Sequence, residues 1–207
     1  EGLIVAHVVS GSKFALKCVE AGVDAVVAEG FEAGGHNGRE ETTTLALIPQ
    51  VRKVAGLPLI AAGGIATGEG MAAVFALGAE GVQVGTRFAL TEESSASDAF
   101  KQKCISLKEG DTILSLKKIS PTRLVKNDFY HQVQELEDRG ASADELRSLL
   151  GRGRSRRGIF EGDLVEGELE IGQVASLIDT VVPAEQVVEG MMKEYYEAVE
   201  KLNRIVF

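Results

Sequence analysis

Short apolar runs that end at glycine recur along the first ninety residues. Ile4-Val5-Ala6-His7-Val8-Val9 leads to Gly11, Leu59-Ile60-Ala61-Ala62 to Gly63-Gly64, and Gly81-Val82-Gln83-Val84 to Gly85-Thr86. Ala25-Val26-Val27-Ala28 leads into Glu29-Gly30 and then Gly34-Gly35-His36. Such runs, bounded by turn residues, predict buried strands. Helical spacing fills the intervals. Ser12 would cap a helix carrying Ala15, Leu16 and Val19, and Gly22 would end it. Thr42-Thr43-Thr44 would start a second through Leu45, Leu47, Ile48 and Val51, with Pro49 tolerated if it lies in the first turn. Met71, Val74, Phe75 and Leu77 mark a third. The segment Ala21 to Val27 echoes Leu77 to Gln83: helix end, glycine, acid, buried strand. Strands alternating with helices at this spacing predict successive parallel βα units, the repeat of a (β/α)8 barrel.

The pattern changes beyond Phe88. Residues 91–150 read as charged helices and loops. Arg152-Gly153-Arg154-Ser155-Arg156-Arg157 is a basic stretch, Gln173 to Ile178 a short helix, and Pro183 opens a terminal helix. Val187, Val188, Met191, Met192, Tyr195, Tyr196, Val199 and Leu202 give that helix an amphipathic stripe, which should pack on the main body. Two units are expected: residues 1–90 as the C-terminal half of a TIM-type barrel, and residues 91–207 as a helical region packing on it. Four strands cannot close a barrel that needs eight, and would leave two edges exposed. Either the chain continues a longer one, which the start at Glu1 favours, or two copies combine as a homodimer.

Composition narrows the function classes. The 207 residues are 44% hydrophobic and 26% charged, as expected of a globular chain with a sizeable core. A net charge of −9 argues against general nucleic-acid binding. No apolar run is long enough to span a membrane, and no signal peptide is evident. Cys18 and Cys104 lack metal-type spacing, and Cys18 falls on the apolar side of a helix, so no metal site is expected and a reducing, cytoplasmic setting fits.

The glycine-ended strands carry the candidate chemistry. In barrels, the loops after strands seven and eight often bind phosphate through backbone N–H groups. Gly63, Gly64, Gly85 and Thr86 occupy those places if Ala61 is on strand seven, and Thr86 adds a hydroxyl donor. The alternative is that these glycines only make turns. His36 puts a titratable ring beside glycines that let a ligand come close. His7 and His131 read as structural. Glu29 and Glu32 flank the loop and could orient His36 or hold a cation, with solvation as the simpler reading. The four arginines at 152, 154, 156 and 157 could meet an acidic partner or form a solvated linker.

Glu32-Ala33-Gly34-Gly35-His36, Ala62-Gly63-Gly64-Ile65 and the segment Gly81 to Phe88 resemble the nitronate monooxygenase (2-nitropropane dioxygenase) and FMN-dependent enoyl-ACP reductase II superfamily. The likeness runs the length of the chain and corresponds to strands five to eight of that barrel with its C-terminal region. It implies an FMN oxidoreductase with Gly34, Gly35, Gly63, Gly64, Gln83, Val84, Gly85 and Thr86 at the cofactor. His36 would face the flavin as the catalytic residue. Thr42-Thr43-Thr44 and the segment Glu161 to Gln173 resemble the reductase branch, in which NAD(P)H is co-substrate and the substrate is an enoyl thioester on acyl carrier protein. The other branch oxidises small nitronates with oxygen. A barrel protein that binds flavin or phosphate without turnover is a third reading.

Overall fold

The computed structural model describes residues 2–205. Strand β1 (Ala6–Val9) leads through Gly11 into helix α1 (Ser12–Ala21). Gly11 holds the cap position, so Ser12 is the first helical residue and its side chain caps nothing. Gly22, at φ 75°, ends α1 as the sequence predicts. Strand β2 (Ala25–Glu29) precedes a two-residue strand, β3 (Gly35–His36). Helix α2 (Thr44–Arg52) starts at the threonine run and carries Pro49 beyond its first turn, so the condition set for that proline is not met. Then come β4 (Leu59–Ala62), α3 (Gly68–Ala76), β5 (Gly81–Gln83) and the short α4 (Thr86–Ala89). Strands β1, β2, β4 and β5 lie side by side in that order, all parallel. Val26 stands opposite Leu59, and Ala61 opposite Val82.

Strand β2 is buried on both faces through Val26, Val27 and Ala28, as expected of an inner parallel strand. Leu47, Ile48 and Val51 of α2 close one side of this core. Strand β1 is an edge: Val5 and Val8 are about half exposed, and Leu3 and Ile4 more so. On α1, Ala15 and Cys18 are buried, whereas Leu16 and Val19 face outward.

The region after Phe88 is not only helical. Helix α5 (Asp98–Ile105) is followed by an antiparallel hairpin, β6 (Thr112–Ser115) and β7 (Thr122–Val125), which corrects the expectation of helices and loops alone. Helices α6 (Asp128–Asp138), α7 (Ala143–Leu150) and α8 (Arg154–Ile159) come next, then a 3₁₀ turn at Gln173–Leu177 where a short helix is expected. Strand β7 also pairs with β3, Thr122 opposite His36 and Arg123 opposite Gly35. The hairpin therefore fixes the histidine loop to the second half of the chain.

Helix α9 (Ala184–Asn203) packs back on the parallel sheet's layer, as its amphipathic pattern predicts. Only Val187 and Met191 of its stripe are buried; Val188, Met192, Tyr196 and Leu202 are exposed. At the crossing with α3, a Cβ on Gly68 would lie 2.2 Å from Tyr195 N, so the two backbones meet there without an intervening side chain. The Glu194 carboxylate accepts from Gly68 N at 2.8 Å. No helix among the described residues is long and apolar enough to cross a membrane.

Candidate functional site

The carboxyl ends of β2, β4 and β5 open on one cleft of about 260 Å³. Carboxyl ends of parallel strands are where α/β folds assemble ligand sites, from the loops that follow the strands. Gly34, Gly63, Gly64, Gln83, Gly85 and Thr86 all line this cleft. Gly63 (φ 83°) and Gly64 (φ 68°) turn the chain sharply at the end of β4 in a region that side chains disfavour. A Cβ on Gly63 would also stand 2.6 Å from Gly30 O. Gly85 differs: its φ is −94° and a Cβ there would meet no atom within 4 Å. It is bare backbone facing open cleft. The Thr86 hydroxyl accepts from Gly172 N at 3.0 Å, which leaves its hydrogen to donate.

Other expected residues stand elsewhere. Val84 packs against the core of the parallel sheet, so its side chain does not line the cleft. Gly34 lines the cleft but also meets the chain itself, since a Cβ there would lie 2.5 Å from Ile171 C. Gly35 (φ 78°) makes room for a carboxylate, with Glu170 Oε2 lying 2.7 Å from where its Cβ would be. His36 is exposed on β3 and is not among the lining residues. Its loop is firmly held: the Asn37 side-chain amide donates to Ala33 O and Gly35 O, and Asn37 N donates to Pro121 O. His7 lies exposed on β1 and His131 exposed on α6.

Glu29 and Glu32 are not solvated surface residues. Both line the cleft, and burial pushes the Glu29 carboxyl above the usual carboxylate range. Glu32 bonds to Thr44 and not to His36. Its carboxylate accepts from Thr44 N at 3.0 Å and lies 3.0 Å from the Thr44 hydroxyl, which is also 2.8 Å from Gly63 O. Thr44 thus joins the end of β4 to the loop after β2. Thr44→Val should cost about 1–2 kcal/mol through the lost hydroxyl bonds at a buried site, read by urea unfolding. A change below about 0.3 kcal/mol would show that this junction does not depend on the hydroxyl.

Of the four arginines only Arg154 is drawn into the fold; the run enters helix α8 rather than forming a linker, and Arg156 and Arg157 stay exposed. Arg154 donates to the carbonyls of Leu149 and Leu150 and to Glu166, and lies over the Phe129 ring. Arg156 pairs with Glu161 and Arg157 with Asp163. Arg152 is exposed.

Several residues of the cleft were not expected from the sequence. Ile159, Ile171 and Val174 form an apolar wall, and Glu170 stands beside them. No lysine or arginine lines the cleft, but the adjoining groove shares Glu32, Gly64 and Val174 with it and adds Lys108. Both cysteines are free and buried, and burial pushes the Cys104 thiol up to about 12, so it is no nucleophile at neutral pH. Among the described residues, no group of three or more His, Cys, Asp and Glu side chains could hold a metal ion.

Known proteins share both the sequence and this architecture. A probable nitronate monooxygenase of Staphylococcus saprophyticus is 41% identical over 128 residues, 57% of this chain and 36% of that protein. The structure of FabK from Thermotoga maritima superposes on 98% of this chain and 64% of its own, with a TM-score of 0.92 and 42% identity. A nitroalkane oxidase from Streptomyces ansochromogenes superposes on 97% of this chain and 60% of its own, with a TM-score of 0.78 and 31% identity. The chain thus spans well under two thirds of the first relative's length. The nitronate monooxygenase family model matches residues 1–194, which take in every cleft residue described above, and the chain belongs to that family.

Proposed function

We propose that the intact protein is a flavin-dependent oxidoreductase and that this cleft receives its FMN. The observation that carries the reading is the convergence of Gly63, Gly64, Gly85 and Thr86 on one cavity, with open space at Gly85. Backbone N–H groups at Gly64, Gly85 and Thr86, with the Thr86 hydroxyl, would hold the phosphate. Lys108 in the adjoining groove would offset its charge against the carboxylates of the cleft. When bound, FMN would supply two-electron hydride chemistry, with NAD(P)H as the source and a 2-enoyl thioester as the acceptor. Ile159, Ile171 and Val174 would exclude water on one side. His36 would donate to the thioester oxygen or protonate the α-carbon, since an imidazole can do either near neutral pH.

The reductase reading is supported by the overlay with FabK, an enoyl-ACP reductase II, over almost the whole chain. The family match and the staphylococcal relatives favour a second reading, oxidation of nitronates with oxygen. There His36 would remove the proton α to the nitro group. Arg152, Arg156 and Arg157 are the exposed members of the arginine run for an acidic carrier protein to meet. Residues 1–90 would be the C-terminal half of the barrel, the remaining strands pairing with the open edge of β1, and residues 91–207 its cap. The buried free cysteines suit a reducing cytoplasm.

His36→Ala should keep the flavin and slow turnover by about 10²–10⁴-fold, the usual cost of losing a general acid or base. The assays are enoyl thioester with NAD(P)H, and nitronate with oxygen, on one flavin-quantified preparation. The activity that collapses selects the branch. A flavin-replete variant at wild-type rate in both assays removes His36 from the chemistry.

A further inference from the structure

Residues 166–171 alternate Glu166-Gly167-Glu168-Leu169-Glu170-Ile171, and this alternation has chemical content. Leu169 and Ile171 are buried, while Glu168 and Glu170 turn together toward α8. There one hydroxyl serves both. Ser155 Oγ lies 2.9 Å from Glu168 Oε2 and 2.5 Å from Glu170 Oε1. A serine has a single hydroxyl hydrogen, and an ionised carboxylate can only accept. Two acceptors on one hydroxyl leave one contact without a hydrogen unless a carboxyl brings its own. The two lengths also differ in kind: the shorter suits a hydroxyl donating to a carboxylate, the longer a bond between neutral groups.

We propose that Glu168 and Glu170 hold one proton between them across the Ser155 hydroxyl, and that Glu170 is the end of this relay that opens on the cleft. At rest the Glu168 carboxylic acid donates to Ser155 Oγ, and the Ser155 hydroxyl donates to the Glu170 carboxylate. When the cleft draws the proton, Glu168 Oε2 releases its hydrogen to Ser155 Oγ as the hydroxyl hydrogen passes to Glu170 Oε1. Glu168 is left as the carboxylate, Ser155 is unchanged, and Glu170 becomes a neutral acid on the cleft wall. Its second oxygen lies beside Gly35, whose missing side chain leaves it room. The relay's use in a reaction rests on the flavin reading of the cleft; its proton does not.

The surroundings place the resting proton on Glu168, which is only 5% exposed. Burial first, and the Glu170 charge second, raise its pKa above the usual carboxylate value. The Ser155 hydrogen bond, His36 on β3 and Arg154 on α8 act in the opposite direction. The Arg154 guanidinium would stabilise Glu168 once it has passed the proton on.

Infrared spectroscopy of the intact protein reads this proton directly. Wild type at neutral pH should show a protonated-carboxyl C=O absorption that shifts in D₂O, although ordinary glutamate ionises near about 4.3. The isosteric E168Q should lose it, with the fold checked by circular dichroism. E170Q should keep it but titrate at lower pH, because the repelling charge is gone. No such absorption in wild type, its survival in E168Q, or an unmoved midpoint in E170Q each overturns the proposal. A protein that binds no flavin would sink the flavin reading and leave this result standing.

Discussion

Gly85→Leu is expected to lose the flavin and keep the fold. At most cleft glycines the two effects cannot be separated. Gly64 has a φ of 68°, so any side chain there is strained, and a Cβ on Gly63 runs into Gly30 O. A variant at either position would lose cofactor simply by deforming the end of β4. Gly85 has an ordinary φ and no neighbour within 4 Å of a built Cβ. Leucine there would enter the volume assigned to the phosphate. Flavin affinity should fall by roughly 100-fold or more, about 2.7 kcal/mol, while unfolding free energy stays within about 0.5 kcal/mol of wild type. The checks are the flavin-to-protein absorbance ratio and a urea titration on the same preparation. Undiminished flavin in a folded Gly85→Leu protein would place the phosphate elsewhere.

Arg123→Ala is expected to destabilise the protein by about 3 kcal/mol or more. Arg123 is 2% exposed, on β7 opposite Gly35. Its Nε and Nη2 both donate to Phe31 O, at 3.0 and 2.8 Å, and its guanidinium lies 5.0 Å from the Phe31 ring centroid. Bonds from a charged donor contribute about 1.5–3 kcal/mol, and truncation also leaves a large cavity. The loop that carries His36 should then open to proteolysis before the parallel sheet does. Arg123→Lys keeps the charge but loses the two-pronged geometry, so it should fall between wild type and alanine. Urea titration with limited proteolysis measures both effects. A loss below about 1 kcal/mol for the alanine variant would mean that the loop is held by its strand pairing alone.

Arg123 also shows why part of the site was hidden in the sequence. The parallel strands were legible because inner strands are continuously apolar and end in glycine. The hairpin was not, because β6 and β7 are short and β7 carries a charge that reads as surface until Phe31 O is seen beside it. Strand β3 has two residues and no periodicity of its own; its pairing with β7 is long-range. The cleft glycines announced themselves by position, although the duties of Gly34 and Gly35 include room for Ile171 and Glu170, which only the fold brings near. Val84 followed its neighbours into the expected cofactor set, but its side chain packs on the core, as that of Val82 does. Glu29 and Glu32 read as solvated because acids at loop starts usually are, whereas Thr44 and the cleft draw them in.

The most direct measurement is a crystal structure of the intact protein grown with FMN. The phosphate should lie within about 3.2 Å of the backbone nitrogens of Gly64, Gly85 and Thr86 and of the Thr86 hydroxyl. A phosphate bound outside the cleft between the ends of β4 and β5, or crystals that take up no FMN at saturating concentration, would contradict the account.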